Sequence, residues 1–142
     1  PEATAEARMF GWHHTGDIGV MDDEGFITIV DRKKDMIITG GFNVFPNEVE
    51  QVLCGHPAVQ DCAVIGVPDE KWGEAVKAVV QLKPDAQCAD DSLISLCKEQ
   101  LGSVKAPKSI DFIDDLPRSA AGKVLKTDLR KPYWEGQGRA VN

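Results

Sequence analysis

The apolar positions of this chain fall in short runs of differing period, and the periods predict a succession of elements. Between Asp17 and Asp31, Ile18, Val20 and Met21 precede the polar tetrad Asp22-Asp23-Glu24-Gly25, and Phe26, Ile27, Ile29 and Val30 follow it, which is a hairpin pattern. After Arg32-Lys33-Lys34-Asp35, Met36-Ile37-Ile38 leads into Gly40-Gly41 and returns through Phe42-Asn43-Val44. This predicts a second short hairpin, whose glycines either supply positive φ or admit another backbone or a ligand. Pro46 suits the first position of a helix, and Glu48 and Glu50 suit its electropositive end. Val49, Val52 and Leu53 then recur at i, i+3 and i+4 before Gly55, so residues 46–54 read as an amphipathic helix.

Two β-branched runs come next, Cys62–Val67 and Ala75–Leu82, joined by a turn-like Pro68–Gly73. In the second run Val76, Ala78, Val80 and Leu82 alternate with Lys77 and Gln81, which predicts a strand with one buried face. Asp90 or Asp91 is placed to cap a helix that carries Leu93, Ile94, Cys97 and Leu101 on one side and stops at Gly102. A short strand is predicted at Ile110–Ile113, then an exposed loop at Pro117–Lys123 and a final short helix near Thr127–Lys131. The fold class expected from this order is α+β: a small, mostly antiparallel sheet with flanking helices, preceded by a β-hairpin.

Composition narrows the function more than the fold. A chain of 142 residues holds one compact domain and a small appendage. Its net charge of −7 argues against nucleic acid or anionic lipid as a partner, and Arg32-Lys33-Lys34 is too short a basic run to reverse that. Cys54, Cys62, Cys88 and Cys97 form no CxxC pair, and the histidines add no zinc-like spacing, so no metal site is expected and the thiols read as free. No apolar run approaches the roughly 18 residues that a membrane span needs. The expectation is a cytoplasmic protein with no transmembrane segment, and a first residue other than Met fits a piece of something larger.

Candidate chemistry is sparse. Lys123 follows Gly122 at the tip of a loop that has shed its large side chains, which suits a cation carried into a phosphate or carboxylate site. The Gly-Lys pair is not a nucleotide-binding P-loop, because that motif needs glycine where Pro117 stands and Ser or Thr where Val124 stands. Taken alone, Lys123 reads as a surface lysine, Asp17 as a turn residue, Arg32 as half of a surface ion pair and Trp72 as a turn filler. His13-His14 lacks a third ligand, and no Ser/His/Asp or Cys/His arrangement has useful spacing.

The segments in order carry more than any one of them. Gly11-Trp12-His13-His14-Thr15-Gly16-Asp17 is followed by Asp31-Arg32-Lys33-Lys34-Asp35-Met36-Ile37-Ile38-Thr39-Gly40-Gly41-Phe42-Asn43-Val44 and Pro46-Asn47-Glu48-Val49-Glu50. Val67-Pro68-Asp69-Glu70-Lys71-Trp72-Gly73-Glu74 and Pro117-Arg118-Ser119-Ala120-Ala121-Gly122-Lys123 complete the set. From about residue 11 to residue 130 the chain resembles the C-terminal region of the adenylate-forming, AMP-binding superfamily, which holds acyl-CoA and aryl-CoA ligases, luciferases and peptide-synthetase adenylation domains. Met36-Ile37-Ile38 with Gly40-Gly41 and Asn43 looks like the CoA ligases. Ile38 stands where luciferases would offer lysine.

The resemblance implies a division into residues 1–33, the tail of a larger N-terminal adenylation domain, and residues 34–142, a mobile C-terminal domain. It implies that a carboxylic acid, fatty or aryl, reacts with magnesium-bound ATP to give an acyl-adenylate and pyrophosphate, after which the small domain rotates and CoA attacks. Asp17 and Arg32 fall on the nucleotide-contacting positions, Lys34 on the hinge and Lys123 on the catalytic lysine. Gly40, Gly41 and Trp72 fall on the lining of the pantetheine channel. Some ligases hold the CoA nucleotide with an aromatic and a basic residue just before the Pro107 position, where this chain has Val104 and Ala106; Lys105 or Lys108 are the substitutes at hand. Lys123 is also the residue on which a lysine acetyltransferase would act. The rival readings are an adenylation domain that loads a carrier protein and an interaction module that merely keeps the fold.

Overall fold

In a computed structural model the described residues are 1–136, so the last six residues of the expected 34–142 span lie outside them. The chain divides between Lys34 and Asp35 into two compact units. The first begins with a short helix, α1 (Glu2–Ala7), and continues as a two-stranded antiparallel sheet of β1 (Asp17–Met21) and β2 (Ile27–Arg32). The Asp22 carboxylate closes the hairpin by accepting from the N–H groups of Glu24 and Phe26, at 3.0 and 2.9 Å. Helix α1 was not expected, because Glu-Ala-Thr-Ala-Glu-Ala carries no apolar stripe and buries nothing.

The second unit is the α+β domain. Its sheet comprises β3 (Ile37–Thr39), β4 (Phe42–Val44), β5 (Val59–Asp69), β6 (Gly73–Leu82) and β7 (Ser109–Phe112). The order is β4-β3-β6-β5, all antiparallel, with β7 parallel to β6. Helices α2 (Pro46–Cys54) and α3 (Asp90–Leu101) pack on one face, where Val49, Leu53, Leu93 and Cys97 join Ile37, Val64, Val76, Ala78 and Val80 in the main core. Helix α4 (Lys126–Trp134) covers the other face, where Leu129 and Tyr133 pack with Ala63, Ile65, Val79 and Leu116.

Three local expectations are corrected. Strands β5 and β6 run on through Pro68 and Asp69 to Gly73, leaving a tighter turn than Pro68–Gly73, because their register pairs Asp69 directly with Gly73. Helix α3 is capped by neither Asp90 nor Asp91: Ala89 is the N-cap, and the two aspartates form the first turn, where the helix dipole favours them. Strand β6 is buried on both faces, Lys77 included, because α4 closes the side that alternation assigned to solvent.

Candidate functional site

In the first unit the start of β1 and the end of β2 bring Asp17 and Arg32 together. They are cross-strand partners, and Arg32 Nε lies 3.1 Å from Asp17 Oδ1. The backbone on either side is tied down, with Lys33 N–H donating to the Gly16 carbonyl at 2.8 Å and Asp17 N–H to Thr15 Oγ1 at 3.2 Å. A carboxylate held this way keeps lone pairs free to accept from a diol, and the guanidinium keeps donors for an anion.

In the second unit Gly40 and Gly41 form the β3–β4 turn with φ of 56° and 84°. Positive φ at both central residues is the backbone a type I′ hairpin turn requires, and glycine adopts it without strain. Gly40 meets the second condition as well: a Cβ there would sit 2.5 Å from Cε3 of Trp72. The Cε3–Cζ3 edge of the indole therefore packs directly against the glycine, and the Gly40 N–H donates to the Trp72 carbonyl at 2.9 Å. Trp72 is presented by the β5–β6 turn, where the Asp69 carboxylate accepts from the Lys71 and Trp72 N–H groups at 2.9 and 2.8 Å. The Lys71 ammonium sits 4.7 Å from the ring centroid, and about half of Trp72 stays exposed. Glu74, which motif reading passed over as a functional side chain, accepts from the Ile38 N–H at 2.7 Å and so braces β3.

Lys123 lies on an exposed hairpin built to hold it. Arg118 and Val124 pair as an antiparallel bridge, Ser119 N–H donates to the Lys123 carbonyl at 2.8 Å, and Gly122 turns the chain at φ of 81°. The expected exposed loop is thus an exposed, hydrogen-bonded turn. Both of its feet are anchored. Arg118 donates to the Gly122 carbonyl at 3.1 Å and pairs with Asp61 on β5. On the other side Lys126, the first residue of α4, pairs at 2.7 Å with Glu50 of α2, whose carboxylate also accepts from the Val64 N–H at 2.8 Å. Strand β5 is an edge strand, so Glu50 satisfies a backbone donor that the sheet leaves open and positions the cation at the same time.

Helix α4 is fixed further along by Tyr133, whose hydroxyl donates to Asp111, and by Trp134, whose Nε1 donates to the Gly66 carbonyl at 3.1 Å. The buried Lys77 ammonium pairs with the same Asp111 at 2.8 Å. Burial raises the Asp111 pKa, but hydrogen bonds from Lys77 and Tyr133 and the Lys77 charge outweigh it and leave the carboxyl below its ordinary value. Burial and the bond to Asp111 push the Tyr133 phenol up to about 12.

The two features of the second unit stand far apart. Asp61, which holds the Lys123 hairpin, is near the start of β5, and Asp69, which holds Trp72, is at its end. The eight rises of extended strand from one to the other span about 26 Å. Lys34 lies in the short helical turn Lys33–Asp35, at the division between the units. The CoA-side substitutes are engaged within the fold: Lys105 pairs with Glu48, and Lys108 donates to the Ser103 carbonyl at 2.6 Å, while Ala106 is fully buried. Among the described residues no cluster of three or more His, Cys, Asp or Glu side chains is placed to hold a metal ion.

Comparison with known proteins places this geometry. Residues 48–123, more than half of the chain, match the family model of the AMP-binding enzyme C-terminal domain. The chain is 51% identical over 142 residues to a long-chain-fatty-acid–CoA ligase of Escherichia coli O157:H7, covering 100% of this chain and 25% of that protein. It is 49% identical over 148 residues to the medium/long-chain-fatty-acid–CoA ligase FadD8 of Mycobacterium tuberculosis, covering 99% of this chain and 26% of that one. The structure of ATP-bound MatB from Rhodopseudomonas palustris superposes with a TM-score of 0.84 at 39% identity, over 97% of this chain and 27% of that one. The chain thus spans about a quarter of the length of the relatives it matches. It belongs to the AMP-binding enzyme C-terminal domain family.

Proposed function

We propose that this chain is the C-terminal part of an ATP-dependent carboxylic acid–CoA ligase, working on an acyl-adenylate held by a larger N-terminal domain. The observation that carries the reading is the separation within the second unit: the Lys123 hairpin and the Gly40-Gly41-Trp72 surface sit at opposite ends of β5. A single reaction centre reaches only one of them at a time, which suits a two-step reaction in which the domain turns about Lys34. In the first step the Lys123 ammonium lies against the carboxylate substrate and the α-phosphate of ATP, where negative charge builds in the transition state. Asp17 and Arg32 take the ribose and phosphate side of the nucleotide. In the second step the glycine turn and the exposed indole edge line the path of the pantetheine arm, which passes close to backbone where no Cβ intervenes.

The apolar residues exposed on the first unit, among them Trp12, Val20, Met21, Phe26, Ile27 and Ile29, support its assignment to a larger domain that covers them. Magnesium would arrive with ATP, and no step assigned to this chain runs through it. Relatives named as fatty-acid–CoA ligases favour a fatty acid as substrate and free CoA as acceptor. A cytoplasmic location belongs to the same proposal and is supported by four free cysteines. The exposed tip position of Lys123 also suits acetylation, which removes its charge.

The test is to assay the full-length protein for acid-dependent pyrophosphate release and, separately, for thioester formation with free CoA or with a carrier protein. Acid-dependent release followed by transfer to free CoA is the expected result. Transfer to a carrier protein alone, or no adenylation of any carboxylic acid, overturns it.

A further inference from the structure

Two thiols face each other where α2 meets β5. Cys54 ends α2 and is exposed, whereas Cys62, near the start of β5, is buried. Their Sγ atoms are 3.5 Å apart, and both are free. A disulfide holds its sulfurs about 2.0 Å apart, so an approach of about 1.5 Å closes one. We propose that Cys54 and Cys62 form a redox modification site, a dithiol that closes to an intramolecular disulfide under peroxide.

Exposure divides the chemistry between them. The Cys54 sulfur attacks one oxygen of hydrogen peroxide, the O–O bond breaks, and one water leaves, giving a sulfenic acid. The Cys62 sulfur then attacks the Cys54 sulfur, the S–O bond breaks, and the departing hydroxide takes the Cys62 thiol proton as a second water. Two thiols are oxidised to one disulfide, and one peroxide is reduced to two waters. Burial, the Cys54 thiol beside it and the carboxylates of Glu50 and Asp61 all push the Cys62 pKa up, so Cys62 stays protonated and is not the first target. Its S–H points to the Glu50 carbonyl at 3.6 Å, an acceptor inside α2 whose helical partner survives the loss of that contact. In a reducing compartment such a bridge is transient, as redox-sensing disulfides are.

The test uses the full-length protein, reduced, freed of reductant and titrated with hydrogen peroxide. It is then denatured in an alkylating agent and digested with trypsin. No Lys or Arg lies between Lys34 and Lys71, so both sulfurs fall in the single peptide Asp35–Lys71. The expected peptide is unalkylated, lighter than its reduced form by two hydrogens, and returned to a doubly alkylated form by dithiothreitol. In Cys62→Ala the bridge cannot form, and dimedone traps the Cys54 sulfenic acid as an adduct absent from the wild type. In Cys54→Ser, a change at an exposed position, Cys62 stays reduced across the same titration. A wild-type peptide that remains doubly alkylated, or that gathers the dimedone adduct or a sulfinic acid in place of the bridge, overturns the proposal. The readout is mass, so it stands or falls independently of the ligase reading.

Discussion

Arg130 of α4 forms an ion pair with Asp35, the residue that directly follows Lys34. Both side chains are largely buried, at 11% and 21% exposure. The helix that begins three residues after Lys123 therefore also grips the first residue of its own unit. Removing one partner leaves a desolvated charge, so Asp35→Ala is expected to lower stability by about 2 kcal/mol, less than for a fully buried pair. A double-mutant cycle with Arg130→Met, read from denaturant midpoints, checks it, and a coupling energy near zero would show that the pair carries nothing. At the neighbouring position Lys34→Pro locks φ and is expected to suppress thioester formation while sparing adenylation. An unchanged thioester rate would remove Lys34 as the pivot.

Lys123→Ala should slow adenylation by roughly 10²–10³, the scale of losing one preorganised electrostatic donor. Thioester formation from supplied acyl-adenylate should survive. Equal loss in both half-reactions would mean that the lysine supports the fold rather than the first step.

The anchors of the Lys123 hairpin give a subtler split. Glu50→Gln keeps an acceptor for the Val64 N–H but weakens the hold on Lys126, and Asp61→Asn weakens the hold on Arg118. Each is expected to lower adenylation about tenfold through misplacement of the ammonium, with substrate KM little changed. The swap Asp61→Arg with Arg118→Asp should recover part of the loss. A swap no better than its worse single variant would argue against the anchor.

Gly40 and Trp72 should be strongly non-additive. In Gly40→Ala the new Cβ collides with the indole and sits on a backbone of positive φ, which costs about 1–3 kcal/mol. Trp72→Ala removes the collision but not the backbone strain. The double variant is therefore expected to lose less than the sum of the singles, and strict additivity of thermal or denaturant midpoints would refute the close Gly40–Trp72 contact.

What the sequence made legible follows the range of the interaction that decides each feature. The period of Val49, Val52 and Leu53 and the pair Gly40-Gly41 are local signals, and they placed α2 and the β3–β4 turn correctly. Burial of Lys77 depends on Asp111 and Tyr133, far along the chain, so alternation within β6 alone pointed its side chain to solvent. The same holds for Glu50, whose partner Lys126 comes from the last helix, and for Asp61 with Arg118. Charged residues flanking the Gly-Lys motif were the only available hint of these anchors, and unpaired charges on a surface are too common to be read as such. Lys123 itself was visible only through the company of the other motifs.

Tyr133 offers a test of the α4 seat through pH. Its hydroxyl donates to Asp111, and its pKa stands at about 12 against an ordinary 10.0. A pKa raised by folding means that the protonated phenol is the form the fold favours. Its contribution is therefore fully present below pH about 10 and fades as pH climbs toward 12. Asp111 runs the other way: its folded pKa is lowered, so its contribution is present above the ordinary carboxyl value and is lost as pH falls below it. Tyr133→Phe should cost about 1 kcal/mol at neutral pH, the net worth of a half-exposed hydrogen bond to a carboxylate. The gap between variant and wild type should then narrow above pH 10 as the wild-type phenol ionises. Denaturant midpoints taken from neutral to alkaline pH measure that gap, and a gap that stays constant through this range would mean that the hydroxyl does not hold α4 through Asp111.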